Sequence, residues 1–161
     1  MSEERFSSRR RTFGASAGAG QFEQEVLEID RVVRVVKGGR RFSFRASVIA
    51  GDRAGRVGFG LGKSRDIQAA IQKAYNQAVK NMVKISLHKG TIVREAEAKF
   101  KGARVQVRPA RPGTGIVAGG TVRLVAHLAG IHNLVSKQRG SANKVNNARA
   151  AIQALVAEAS L

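Results

Sequence analysis

Two alternating apolar runs flank a glycine pair early in the chain, and they restrict its fold more than any other feature. Val32, Val33, Val35 and Val36 lead into Lys37-Gly38-Gly39-Arg40, after which Phe42, Phe44, Ala46, Val48 and Ala50 recur at every second position. Period two is the spacing of a half-buried strand, and a glycine pair between two such runs permits the positive φ of a tight reversal, so the segment predicts a hairpin. Lys37, Arg40 and Arg41 would project from its tip. Gly51-Asp52-Arg53-Ala54-Gly55 supplies a second turn before a third short strand, Arg56 to Gly62. With Ser64 or Asp66 as N-cap, Ile67, Ala70, Ile71, Ala74, Tyr75, Ala78, Val79 and Met82 then recur at three and four, the period of an amphipathic helix that must cover the sheet.

Beyond Lys89-Gly90 the pattern restarts. Thr91 to Phe100 and Ala103 to Arg108 read as strands, and Pro109 and Pro112 bracket a loop that leads into the glycine-rich run Gly113 to Gly120. Val122, Val125, Ala126, Leu128 and Ala129 give a short apolar-faced helix ended by Gly130. Ile131 to Val135 reads as one more strand, and Gly140-Ser141-Ala142-Asn143 offers the N-cap of a last helix carrying Val145, Ala148, Ile152, Leu155 and Val156. The order βββα then ββαβα defines the fold class as α+β, with two small domains in tandem. The expected boundaries are a basic flexible arm over residues 1–22, a first domain over 23–89 and a second over 90–161. No stretch approaches the roughly 20 apolar residues that cross a bilayer, and residues 1–20 lack the apolar centre of a secretory signal, so no membrane span is expected.

Charge then narrows the partners. The chain carries 29 Lys and Arg against 11 Asp and Glu, a formal net charge of +18, and it is unevenly spread. Gln21 to Asp30 holds four acids and no base, whereas Arg31 to Arg65 holds ten bases and one acid. A surface this cationic repels itself unless nucleic-acid phosphates or an anionic membrane face neutralise it, and composition does not choose between those two. Hydrophobic residues make up 43% of the chain, enough to build a core, and the absence of cysteine removes disulfides, thiolate nucleophiles and zinc ribbons.

Enzymatic motifs are incomplete. Gly58-Phe59-Gly60-Leu61-Gly62-Lys63-Ser64 invites comparison with a phosphate-binding loop, but Val57 stands where the first glycine is required, and Lys63 stands where the dinucleotide fingerprint needs its last. Glycines easing strand packing, with Lys63 at a helix N-terminus, is the more economical reading. Gly113-Thr114-Gly115 with Gly119-Gly120 lacks an acidic ribose-binding residue about 20 positions on. His88, His127 and His132 have no carboxylate within five residues to complete a metal set or orient a base. Glu95 and Glu97 share a strand face and read as counter-charges to Lys99 and Lys101. No catalytic residue, cofactor or metal is therefore assigned.

What remains is a constellation of bases interleaved with aromatic and small residues: Arg34, Lys37, Gly38, Gly39, Arg40, Arg41, Arg45, Arg53, Arg56, Lys63 and Arg65. These occupy a hairpin tip, a neighbouring turn and a helix start, three places expected to contact phosphates together. Phe42 and Phe44 share one strand face, with core packing or base stacking as their alternative roles.

At these residues the chain resembles the bacterial small-subunit ribosomal protein five family. The segments carrying the match are Arg34 to Phe42 (RVVKGGRRF), Gly51 to Lys63 (GDRAGRVGFGLGK), Ala70 to Met82 (AIQKAYNQAVKNM), Gly113 to Arg123 (GTGIVAGGTVR) and the Gly140-Ser141-x-Asn143 turn. The resemblance implies a first domain like a double-stranded-RNA-binding fold without its first helix, and a second domain of a type shared with several translation and ATPase proteins. It implies a non-enzymatic, cytoplasmic, ribosome-bound 30S component that is not a homo-oligomer. Its implied partners are 16S rRNA, small-subunit proteins four and eight, and messenger RNA near the entrance where the family influences decoding accuracy. Lys37 to Arg41 would enter the rRNA, and Arg104, Arg108, Arg111 and Gly113 would face protein four. Ile67-Gln68 departs from the usual Val-Pro, Lys144 replaces a common Pro, and the tail after the last helix is nearly absent. A nucleotide-dependent enzyme and a freestanding double-stranded-RNA-binding protein or RNA chaperone remain the alternatives.

Overall fold

The computed structural model describes residues 22–157. The arm expected over residues 1–22 lies outside the described residues but for Phe22. Three long strands open the fold: β1 (Glu23–Val36), β2 (Gly39–Gly51) and β3 (Arg56–Ser64), joined by the two predicted turns and paired antiparallel in the order β1-β2-β3. Val36 pairs with Gly39, so the two residues of the reversal are Lys37 and Gly38 rather than the glycine pair itself. Gly39 alone of that pair takes a positive φ, at 143°. β1 begins nine residues before the valine run. Its acidic stretch Glu23 to Asp30 pairs with the apolar half of β2, across a bulge between Val26 and Glu28.

α1 (Ile67–Lys80) starts at Asp66, whose carboxylate accepts the Ala69 N–H at 3.1 Å, an N-cap bond that satisfies one of the helix's free donors. The helix lies unusually close to β3. A Cβ placed on Gly58, Gly60 or Gly62 would fall 2.1, 2.0 and 2.1 Å from the carbonyl oxygens of Ala78, Ala74 and Ala70 respectively. Glycine at period two on the strand thus meets alanine at period four on the helix, and Ala46, Val48, Ala70, Ile71 and Ala74 form the small core between them. The Ile67-Gln68 start costs this arrangement nothing, since both side chains are exposed. A two-residue strand that sequence patterning does not reveal, β4 (Val83–Lys84), closes the sheet against Arg56 and Val57.

The second half builds β5 (Ala96–Phe100), β6 (Ala103–Pro109), β7 (Ile116–Val117), α2 (Gly120–Ala129), β8 (Leu134–Arg139) and α3 (Lys144–Ala157), with sheet order β5-β6-β8-β7. β7 and β8 run parallel, which requires a crossover, and α2 is that crossover. Two expected boundaries move. Thr91 to Glu95 does not join the strand, because Thr91 is held in a turn by reciprocal bonds with His88. Ile131 to Asn133 is likewise not strand: Ile131 N–H caps α2 on Ala126, while His132 and Asn133 N–H both reach Gly90. Pairing begins only at Leu134 and runs on to Arg139, four residues past the expected end.

The two halves share one core. Ile49, Val57 and Phe59 from the first sheet join Val125, Leu128, Ala151 and Leu155 from α2 and α3 in a single buried cluster. α2 and α3 lie between the sheets, α3 touching β5 and β6 on one side and β3 and β1 on the other. β2 is therefore buried on both faces from Ala46 to Gly51, by α1 on one side and the second half on the other. At the seam the Gly51–Gly55 turn caps the carboxyl end of α2. Arg53 N–H donates to Leu128 O at 2.9 Å and Gly55 N–H to Ala129 O at 3.0 Å, satisfying carbonyls the helix itself leaves free.

Candidate nucleic-acid interface

β3 pairs with β2 only as far as Phe44, so residues 32–43 extend past the sheet as a two-stranded arm. At about 3.3 Å per residue the arm is roughly 13 Å long before its turn. Direct pairing puts Arg34 opposite Arg41 and Arg45 opposite Lys63. Like charges set directly opposite each other destabilise a sheet by themselves. Asp30 answers one of them, its carboxylate taking Arg45 at 2.7 Å.

Arg34, Arg41, Lys63 and Arg65 line one cleft of about 560 Å³ together with Val32, Phe42 and Ser43. None of the four has an acidic partner among the described residues. The cleft forms because β3 ends beside the base of the arm, and Lys63 and Arg65 follow from that end towards α1. Arg31 lies over the Phe42 ring at 4.0 Å from its centroid, fixing the aromatic on the face opposite Arg34 and Arg41. Phe42, Val33 and Val35 are exposed there, whereas Phe44 packs against the α1 core. Of the two phenylalanines, Phe44 alone takes the core-packing role.

Arg53 and Arg56 do not join this cleft. They sit on the β2–β3 turn, at the end of β3 opposite Lys63, roughly 23 Å away at strand rise, and each is engaged locally. Arg53 pairs with Glu23, and Arg56 with Asp52 and the Phe22 ring. Asp52 also accepts the N–H groups of Ala54 and Arg56 at 2.8 and 2.9 Å. Burial opposes its ionisation, but the Arg56 side chain and these two amides outweigh it and hold the carboxyl below its ordinary range. The structure thus sets the turn apart from the other two places: the tip and helix start share one end, and the turn packs at the seam between halves.

On the second sheet Arg104 and Arg108 alternate along the outer face of β6. Their partners are Glu97 at 3.2 Å and Glu95 at 2.9 Å, so these acids answer arginines across the ladder rather than Lys99 and Lys101 along it. The Arg108 and Gln106 side chains hold Glu95 below its usual range. Arg111 and Gly113 follow in the next loop, where Asn133 Oδ1 accepts the N–H groups of Gly113 and Gly115. That carboxamide holds the first part of the glycine-rich run, where Gly113 and Gly115 take positive φ. His127 and His132 do share a cleft with a carboxylate, Glu25, which is remote in sequence. No group of three candidate metal ligands occurs among the described residues. Lys144, which stands where the family commonly has Pro, reaches Glu28 of β1 at 3.2 Å and ties α3 to the first half.

The fold and the cleft define a class: a two-domain α+β protein that sets four cations without acidic partners in one cleft at the base of a projecting arm. Residues 22–86 match the family model described as ribosomal protein S5, N-terminal domain, and residues 98–160 match ribosomal protein S5, C-terminal domain. A curated relative, the small ribosomal subunit protein uS5 of Tolumonas auensis, is 49% identical over 137 residues, covering 85% of this chain and 82% of that protein. The chain belongs to the ribosomal protein S5 family.

Proposed function

We propose that the protein is a non-catalytic structural constituent of the small ribosomal subunit that binds 16S rRNA through the hairpin arm. The observation that carries this reading is the cleft of Arg34, Arg41, Lys63 and Arg65, four bases lacking an acidic partner among the described residues. Side chains so placed neutralise phosphates where RNA strands crowd together, and release of condensed counterions supplies much of the affinity. Double-helical RNA presents shape and 2′-hydroxyls rather than a readable major groove, so recognition follows geometry more than sequence. In this reading residues 1–22 form a basic arm, 23–89 the rRNA-binding domain and 90–161 a domain facing small-subunit proteins. Arg104, Arg108, Arg111 and Gly113 are assigned to protein four, with protein eight also adjacent. The protein supports subunit assembly and decoding accuracy near the messenger entrance, as a cytoplasmic, ribosome-bound monomer.

Fractionation of washed ribosomes tests it. Stoichiometric recovery with 30S particles is expected, whereas recovery free of them favours a freestanding RNA-binding protein. In reconstitution, Arg41→Glu is expected to impair incorporation well beyond Lys89→Glu, and equal effects would refute the arm as the principal contact.

A further inference from the structure

We infer that the groove between β1 and the first turns of α2 and α3 is a second RNA-backbone site, binding a phosphate at the amino end of α2 and a ribose 2′-hydroxyl at Asn147. It rests on the reading that RNA is the partner, but on none of the arm residues.

The groove encloses about 730 Å³, with Leu27 of β1 on one side and Gly120 and Thr121 of α2 on another. α2 begins without a side-chain cap, since Gly119 offers none, and its first turn holds no acid. Its leading N–H groups and the positive end of its dipole therefore lack a side-chain cap among the described residues. A Cβ at Gly120 would meet nothing within 4 Å, whereas one at Gly119 would meet the Gln138 carboxamide at 2.8 Å, so that end is open at Gly120 and bounded by Gln138 at Gly119. Arg123 and Arg139 line the same groove, and neither has an acidic partner among the described residues.

Two further side chains point to the ligand. Asn147 is 2% exposed and lines the groove, its Nδ2 donating to Ser141 O at 2.9 Å while its Oδ1 has no partner. Gln138 lines it as well, and its buried Nε2 has no partner either. Buried polar groups in folded proteins are paired, so one acceptor and one donor lining a cationic groove ask for an occupant that offers both. A carboxylate or an inorganic phosphate dianion brings acceptors only and leaves Asn147 Oδ1 unmet. A ribonucleotide brings acceptors on its phosphate and an O–H donor on its sugar, and that combination separates RNA from DNA at a protein surface.

The test uses the full chain, isotopically labelled and titrated at low salt with adenosine 3′,5′-bisphosphate and, separately, its 2′-deoxy counterpart. Amide shifts are expected at Gly119 to Val122 and at the Gln138 and Asn147 carboxamides, with the deoxy probe binding several-fold more weakly. Gly120→Asp puts a carboxylate where the phosphate would sit. It is expected to leave the melting temperature unchanged or raised, as helix-dipole compensation dictates, yet to weaken the ribonucleotide on the order of tenfold, the worth of one lost charge-assisted contact. Gly120→Ala should bind like the parent, and Arg139→Glu gives an independent second loss. Shifts confined to the arm, equal affinity for the deoxy probe, or undiminished binding by Gly120→Asp would each overturn the proposal. Arg41→Glu should leave the groove shifts intact, so failure of the arm reading is distinguishable from failure of this one.

Discussion

Gly60 shows how a residue that suggests a phosphate loop is spent on packing instead. Its missing Cβ lets the Ala74 carbonyl approach to a point 2.0 Å from where that atom would stand, and backbone on both sides leaves no flexible group to yield. Gly60→Ala is therefore expected to destabilise the protein by about 2–3 kcal/mol, the cost of overpacking, read as a lowered denaturant midpoint at unchanged slope. Gly120→Ala, in open space on a helix, should be neutral or slightly stabilising. Asp52 makes a second residue-scale prediction. Because its folded pKa lies below the ordinary 3.8, the stability it contributes is present in full above that value and is lost as pH falls through the lower, folded value. Asp52→Asn should thus cost about 1–2 kcal/mol at pH 7, and its melting deficit should shrink progressively below about pH 4 as the parent protonates. A deficit that stayed constant down to pH 2 would show that charge is not what Asp52 supplies.

Among the elements, the arm is separable from the body it projects from. The α1 core starts at Phe44 and Ala46, and everything beyond Ser43 towards the tip is exposed or half-buried. Deleting Val33 to Phe42 and joining Val32 to Ser43 through an Asn-Gly turn is expected to preserve cooperative unfolding. It removes Arg34, Lys37, Arg40 and Arg41, and at roughly 0.7–0.9 per phosphate contact the slope of log affinity against log salt should fall by about three. Retention of the parent slope would assign RNA binding elsewhere. The arm's existence was legible in sequence because alternation and glycine are local signals. The length of β1 was not, because it opens with Glu23 to Asp30, whose acids mask a strand that is fixed by pairing with β2. The same limit explains β4 and β7, two residues each, which exist only because a neighbouring strand offers free hydrogen-bonding groups. It also explains the cleft, where Lys63 and Arg65 meet Arg34 and Arg41 through sheet register. Charge along the sequence likewise does not tell which end of a strand a turn occupies, so it does not show that Arg53 and Arg56 lie apart from the cleft.

In the whole molecule, the tandem units of the sequence become one mechanical body. Ile49 and Val57 bury against α2, the turn between β2 and β3 caps that helix, and Lys144 and Glu28 close the other end of the seam. Arg149 of α3 lies over Phe59 of the first sheet and Phe100 of the second, at 5.6 and 5.2 Å. Gly130 permits the closest approach, since its Cβ would fall 2.0 Å from Arg53 O and its φ of 82° suits glycine. Such a seam holds the arm on the first sheet and the outer face of the second at a fixed angle. Leu128→Ala tests this coupling, because Leu128 is fully buried in the second half while its own carbonyl anchors the turn of the first. Truncation is expected to cost about 2.7–5 kcal/mol. If the halves unfold as one unit, amide exchange in β2 and β3 should accelerate by the same factor as exchange in α3, and the melting curve should stay a single transition. Two transitions, with only the second-half amides affected, would mean that the halves are held together by the assembled particle rather than by their common core.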